Sequence, residues 1–407
     1  MQTIRIRGII PEIVLFITLI GVAGAVRYLG FGMISGDYLA FLRPWSEFIS
    51  AKGGIPALAY DFADYNMPYL YLLTALTWIS TNTSLGLMFL IKVVTVVFDA
   101  VLAYYAGRIV GLRWSDWRIR ALATAGVLLL PTVVMNGSYW AQCDSIYTSF
   151  TLAGIYYLLR NKPWWGVALL AVSLTIKLQA IFVFPALLTL LLAGLVRWRH
   201  LTVIPAIYVL AAVPAWLVGR PFGDLMFIYA GQTGTWKSMT MGAPSIYAFV
   251  RPGAEVDMMR AVGSLLAVAA VLAFVSVLLI RRVRLDQTGI VLLFTTFSIM
   301  VPFLLPSMHE RYFMQAEVLA VVAAFWLPRR LWFLPVLTQV AVFIGYQSYL
   351  FRSPSAVDLR ILTLLAGAAL VATAAQLLRH TELPDEPELP EVARTPARDP
   401  ERVPALV

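Results

Sequence analysis

The amino-acid sequence predicts an all-α, polytopic integral membrane protein, and three observations predict it. Of the 407 residues, 60% are apolar, while 31 basic and 22 acidic residues make only 13% charged, about half the share of a soluble domain. Mean hydropathy is +0.80. The apolar residues gather in runs near the length of a membrane-crossing helix, about 20 residues, enough for roughly a dozen spans. A soluble enzyme is excluded. The formal charge of +9 fits basic residues collecting in cytoplasmic loops, so it says little about a polyanionic partner; membrane lipids are the expected partners, and nucleic acid is not. Cys143 stands alone, which excludes an intramolecular disulfide. His200, His309 and His380 are scattered, so neither a metal nor any other cofactor is expected.

The elements follow in order. MQTIRIR and the apolar stretch from Gly8 to about Val26 read either as a signal peptide or as an uncleaved first span. The run is long enough to cross, and a polytopic chain follows it, so the anchor is preferred. Apolar runs come next near 85–107, 120–137, 144–159, 164–178, 180–196, 201–219, 259–280, 288–305, 312–327, 331–350 and 359–378, giving about twelve transmembrane helices. A thirteenth candidate, MPYLYLLTALTWIS at 67–80, is short and opens on Pro68.

Charge decides whether that segment crosses. If it does not, Arg108, Arg113, Arg118, Arg120, Arg160, Lys162, Arg197, Arg199, Arg281, Arg282, Arg284, Arg329, Arg330 and Arg379 all share the side of Arg5 and Arg7, as the positive-inside rule requires. If it crosses, the arginine-rich linkers fall outside. Segment 67–80 is therefore expected to be an amphipathic or re-entrant helix on the outer face. Two long outer segments result, 27–84 and 220–258, the second carrying Tyr229, Trp236, Lys237 and Tyr247. Residues 1–380 form one membrane domain. The tail 381–407 has seven acidic residues, three basic residues and six prolines and reads as a disordered cytoplasmic segment. Both termini are thus expected in the cytoplasm, with the protein in the cell inner (plasma) membrane.

Ionisable groups beside a membrane core are costly and are candidates for function. Under this topology they gather at outer helix ends, where an active site facing outward fits better than a mid-bilayer conduction path. In GDYLAFLRPWSEFI, 36–49, the apolar and aromatic residues have helical spacing; the stretch also carries Arg43. Asp37 at its start is either a helix N-cap or a general base at the water boundary. In DYNMPYLYLL, Asn66 and Pro68 form a rigid turn before an aromatic helix. MNGSYWAQCDS, 135–145, presents Asn136, Tyr139, Trp140, Gln142 and Asp144, planar hydrogen-bonding groups and aromatic faces of the kind that bind sugars; a solvated hairpin is the other reading. Lys177, with Gln179, either snorkels or meets a phosphate. His309, Glu310, Arg311 and Tyr312 place imidazole, carboxylate, guanidinium and phenol in succession. Arginine suits phosphate through its bidentate fork, although an internal network holding a helix hairpin is also consistent.

These elements, in this order, resemble the GT-C fold glycosyltransferases. The likeness is greatest to polyprenyl-phosphate-glucose-dependent glucosyltransferases of the asparagine-linked glycosylation pathway and to bacterial relatives of the second GPI mannosyltransferase. The resemblance runs through Asp37, Tyr38 and Trp45; Asp64 to Pro68; Asn136 to Asp144; Lys177 with Gln179; and His309 to Arg311. Two departures, Met67 before a single Pro68 and Arg311 where lysine is usual, bear on the donor sugar. The resemblance implies inverting transfer of a hexose, mannose or glucose, from a polyprenyl-phosphate-linked donor to a lipid or glycan acceptor. Asp37 would be the catalytic base, and Lys177, His309 and Arg311 would hold the donor phosphate. Arg43, Asn66, Gln142, Asp144, Gln179, Glu310 and Tyr312 would bind substrate, with no metal. The competing expectation is a flippase for a lipid-linked sugar, which would tolerate the amide at position 37.

Overall fold

A computed structural model describes residues 2–232, 238–250 and 255–381. Trp236, Lys237 and the tail beyond Thr381 lie outside the described residues. The described chain is helical almost throughout, its one sheet being the two-residue parallel pairing of Thr240–Met241 with Met308–His309. Among the described residues seven helices are long and apolar enough to cross a membrane: Ile10–Gly30, Leu87–Arg113, Trp198–Val218, Val256–Ile280, Gln287–Leu304, Leu334–Phe351 and Leu359–Leu378. The segments Trp117–Leu128 and Pro131–Trp140, bent by 52°, make up to an eighth span. The other apolar runs form shorter helices, among them Asp144–Leu159, Pro163–Ile176 and Met314–Trp326.

The shorter helices lie inside the bundle. Asp144–Leu159 and Met314–Trp326 are buried almost along their whole length, and with Gln287–Leu304 they form the largest apolar cluster. Local signals set the ends of several elements. Asp286 accepts the backbone N–H of Gly289 at 2.9 Å and caps Gln287–Leu304, while Asp116 and Asp358 cap the helices that follow them. Pro163 and Pro335 sit in first turns, where no N–H is missed.

Segment 67–80 is a 16-residue helix, Met67–Asn82. At 1.5 Å per residue it spans about 24 Å, short of a hydrocarbon core of about 30 Å. It packs against the amphipathic helix Arg43–Ala51, which buries Trp45, Ser46 and Ile49, and a Thr77–Ser46 hydrogen bond of 2.9 Å joins the two.

Two buried cations bind the first helix to the helix Leu87–Arg113. Arg27 lies 2.9 Å from Asp99 and donates to the carbonyls of Ala23 and Leu128; Asp99 also accepts from the Ser145 hydroxyl. Lys92, with no exposed surface, donates to the carbonyls of Gly30, Phe31 and Met33 at 2.8, 3.3 and 2.6 Å. These are the last-turn carbonyls of the helix Gln2–Gly30 and the loop after it, which have no partner within the helix. Lys92 thereby fixes the short loop that leads to Asp37.

Candidate active site

Asp37 ends that loop and precedes a wide helical turn, Tyr38–Leu42. Its side chain makes no capping bond, so the N-cap reading of the sequence does not hold. Oδ2 instead accepts three donors: Arg311 Nη1 at 2.7 Å, Gln142 Nε2 at 2.6 Å and Trp140 Nε1 at 3.0 Å. Oδ1 accepts from the Tyr349 hydroxyl. Trp140 and Gln142 flank Ala141, which has φ +65°; that left-handed residue turns the chain so that both neighbours reach one carboxylate. Burial alone would push the Asp37 carboxyl up, but the Arg311 guanidinium and the bonds from Tyr349, Trp140 and Arg311 outweigh it and hold it below the usual carboxylate value.

Asp37 lines a cavity of about 570 Å³ that also takes in Asn66, Gln142, Lys177, Gln179, Arg311 and Tyr312. Seven of the predicted site residues, from five separate segments, therefore meet at one space. Tyr65, Tyr69, Phe41 and Trp45 give it an aromatic wall. Lys177 sits within about 6 Å of the Tyr65, Tyr147 and Tyr312 rings, an arrangement that holds an ammonium by its attraction to ring faces.

The remaining four residues sit elsewhere. Arg43 is exposed and pairs with Glu47 one turn on, away from the cavity lining. Asp144 is fully buried behind Lys177, which donates to one oxygen, while Asn136 donates to the other at 2.7 Å. His309 and Glu310 stand behind Arg311, with His309 Nδ1 3.6 Å from Glu310 Oε2 and its ring edge-on to Tyr312 and Tyr349. Burial, and then the charge of Arg311, hold the His309 imidazole below its ordinary value, against the pull of Glu310. Among residues facing the cavity, Gln142 is turned to Asp37 and accepts from Tyr65 at 3.2 Å. Asn66 caps Met67–Asn82 through the Met67 N–H at 2.7 Å.

Sequence reasoning missed Tyr349, whose helix reads as plain membrane span. It also missed Asp257, Arg260 and Ser307, which line the same cavity. The 257, 260, 261, 264 spacing of one helix face was the available signal. Among the described residues no group of three or more His, Cys, Asp or Glu side chains is placed to hold a metal ion.

No family model matches the chain, and no curated protein matches it. Among solved structures it is similar to ArnT from Cupriavidus metallidurans bound to undecaprenyl phosphate. The TM-score is 0.53 at 14% identity, covering 89% of this chain and 76% of that one. The apo state of the same protein gives 0.50 over the same shares. At that identity the likeness is one of architecture: the chain is a multi-pass membrane protein with the all-α GT-C fold.

Proposed function

We propose that the protein is an inverting glycosyltransferase. It would move a hexose from a polyprenyl-phosphate-linked donor to a lipid or glycan acceptor at the outer face of the cell inner membrane, with both termini cytoplasmic. The carrying observation is the buried Asp37–Arg311 pair at the floor of a cavity with an aromatic wall. The acceptor hydroxyl attacks the anomeric carbon, the new C–O bond forms as the bond to the donor phosphate breaks, and the leaving phosphate takes the electron pair. The proton goes to Asp37.

Protonation of Asp37 cancels the charge that Arg311 neutralises in the resting site. Arg311 then has a guanidinium to give as the leaving phosphate gains its second negative charge, so one proton transfer hands the cation from carboxylate to phosphate. Lys177, pinned by Asp144, completes the positive side, and His309 stands behind Arg311 as a neutral ring. Gln179, whose buried Oε1 has no hydrogen bond among the described residues, serves the sugar hydroxyls together with Asn66 and Tyr312. Gln142 acts by orienting Asp37.

The test is transfer of radiolabelled hexose from synthetic polyprenyl-phosphate-mannose and polyprenyl-phosphate-glucose into membrane extract by wild type and Asp37→Asn. The amide fits the cage, because its oxygen can accept the three Oδ2 donors and its N–H can face the Tyr349 oxygen. Loss of a positioned base costs about 10²–10⁴ in rate. Equal transfer by both proteins removes Asp37 from the mechanism. No transfer by either, with lipid-linked sugar crossing liposome bilayers, replaces the transferase with a flippase.

A further inference from the structure

On the transferase reading just given, we infer that Arg260, oriented by Ser307, is the guanidinium that receives the phosphate of the incoming lipid-linked donor. The inference starts from the charges around the cavity. Its two most enclosed cations already have buried carboxylate partners: Arg311 holds Asp37 at 2.7 Å, and Lys177 holds Asp144. Asp64 and Asp257 add further acidic groups to the lining. A phosphodiester entering this space brings another negative charge. Prising Arg311 or Lys177 from its acid would leave an unpaired charge in a dry site, the costly way to break a buried pair.

Arg260 is differently placed. It lies one turn into the helix Val256–Ile280, on the face that gives Asp257, Arg260, Ala261 and Ser264 to the cavity. Its ion pair is with Asp257 on the same helix, at 3.1 Å, and that acid is 77% exposed against 15% for the arginine. A pair so open to water is weak, and an anion displaces Asp257 at small cost. Among the described residues Nη2 of Arg260 carries no hydrogen bond, which leaves one arm of the fork for a phosphate oxygen.

Ser307 sets the direction of that fork. Its hydroxyl accepts from Arg260 Nε at 2.8 Å and donates to the Ser238 carbonyl at 2.8 Å, and its backbone N–H is taken by the Met239 carbonyl. The residue is held at φ +60°, a conformation that a non-glycine residue seldom adopts. A serine kept there between two strand ends gives a rigid seat to a side chain that a helix surface would otherwise leave free. Arg260 and Ser307 line the same cavity as Asp37 and Arg311, so a phosphate on Arg260 shares one space with the caged pair.

The experiment measures binding, not turnover. Full-length protein in lipid nanodiscs is titrated with decaprenyl phosphate and with decaprenol, the same chain without the phosphate. Wild type is expected to prefer the phosphate. Arg260→Gln should lose about tenfold or more of that affinity, the scale of a hydrogen bond to a charged group, with decaprenol binding unchanged. Arg260→Lys, which keeps the charge without the fork, should fall between, and Asp257→Asn should bind the phosphate at least as tightly as wild type. Ser307→Ala is the second probe if Arg260→Gln does not fold, and a loss of about threefold or more is expected for a fork left unoriented. Wild-type phosphate affinity in both Arg260→Gln and Ser307→Ala overturns the inference while leaving the transferase reading intact. A wild type that does not distinguish phosphate from alcohol overturns the transferase reading itself.

Discussion

Replacing Lys92 with methionine tests the claim that the loop leading to Asp37 is held from behind. Methionine nearly matches the length of lysine and keeps the apolar stem packed, but it cannot donate to Gly30, Phe31 and Met33. Two of the three bonds, at 2.8 and 2.6 Å, are short enough to count fully, and the third, at 3.3 Å, is weaker. Hydrogen bonds to a charged group contribute about 1.5–3 kcal/mol each, so the gross loss is about 4–7 kcal/mol. Relief from burying an ammonium offsets several kcal/mol of that, leaving a net destabilisation of about 2–4 kcal/mol. The freed loop carries Asp37 four residues beyond Met33, and a misplacement near 1 Å costs about 10²-fold in rate. Steady-state transfer kinetics and the thermal midpoint of the purified protein read the two effects separately. The expected result is a kcat reduced about 10²-fold with KM little changed, a lowered midpoint, and partial recovery of both in Lys92→Arg. A kcat within threefold of wild type refutes the positioning role even if the midpoint falls. An unchanged midpoint refutes the anchoring itself.

Two other perturbations follow from the same region. Gly242 has φ +88°, and a Cβ there would meet Glu310 Oε2 at 2.8 Å, so Gly242→Ala should cost about 1–3 kcal/mol and displace Glu310 from His309, seen as a lower thermal midpoint and a slower transfer rate. The pH dependence has two parts. The His309 value is lowered from 6.5, so the unfolded chain binds more protons just below that pH; the stability from keeping the ring neutral is full above pH 6.5 and is lost as pH falls toward the folded value. The Asp37 value is lowered from 3.8, so its contribution is full above pH 3.8 and is lost only as pH falls through the folded value. Thermal midpoints of wild type and His309→Gln should therefore have a constant difference above pH 6.5 and converge below it. A difference that stays constant down to pH 5 contradicts the assignment.

The fold was legible in the sequence because membrane spans are read from bulk hydropathy, which tertiary contacts do not alter. Each apolar run is helical, and the segment at 67–80 is a short helix packed on Arg43–Ala51. What hydropathy could not supply is depth within the bundle: Asp144–Leu159 and Met314–Trp326 are as apolar as their longer neighbours, yet they are buried almost along their whole length. The gathering of Asp37, Lys177 and Arg311 was legible for a related reason, since charges are rare enough in this chain to stand out. Their pairings were not. Nothing in a one-dimensional pattern says that Asp144 faces Lys177 and not a sugar, or that Gln142 turns to Asp37, because these depend on how helices distant in sequence meet. Arg260 escaped notice for the opposite reason: beside Asp257 it reads as an ordinary helix-end ion pair.

The Arg27–Asp99 pair also bears on how the protein is made. On an isolated first helix Arg27, in the last turn, has no acid beside it, and its carboxylate partner Asp99 emerges 72 residues later, after the whole 31–86 segment has been synthesised. The first helix therefore carries an unpaired charge at its C-terminal end until Leu87–Arg113 arrives. Asp99→Leu should then lower the yield of inserted protein in a translation-coupled assay before any loss of activity per molecule is seen. The segment that leads to Asp37 would thus owe its place in the membrane to the order in which the ribosome delivers two opposite charges.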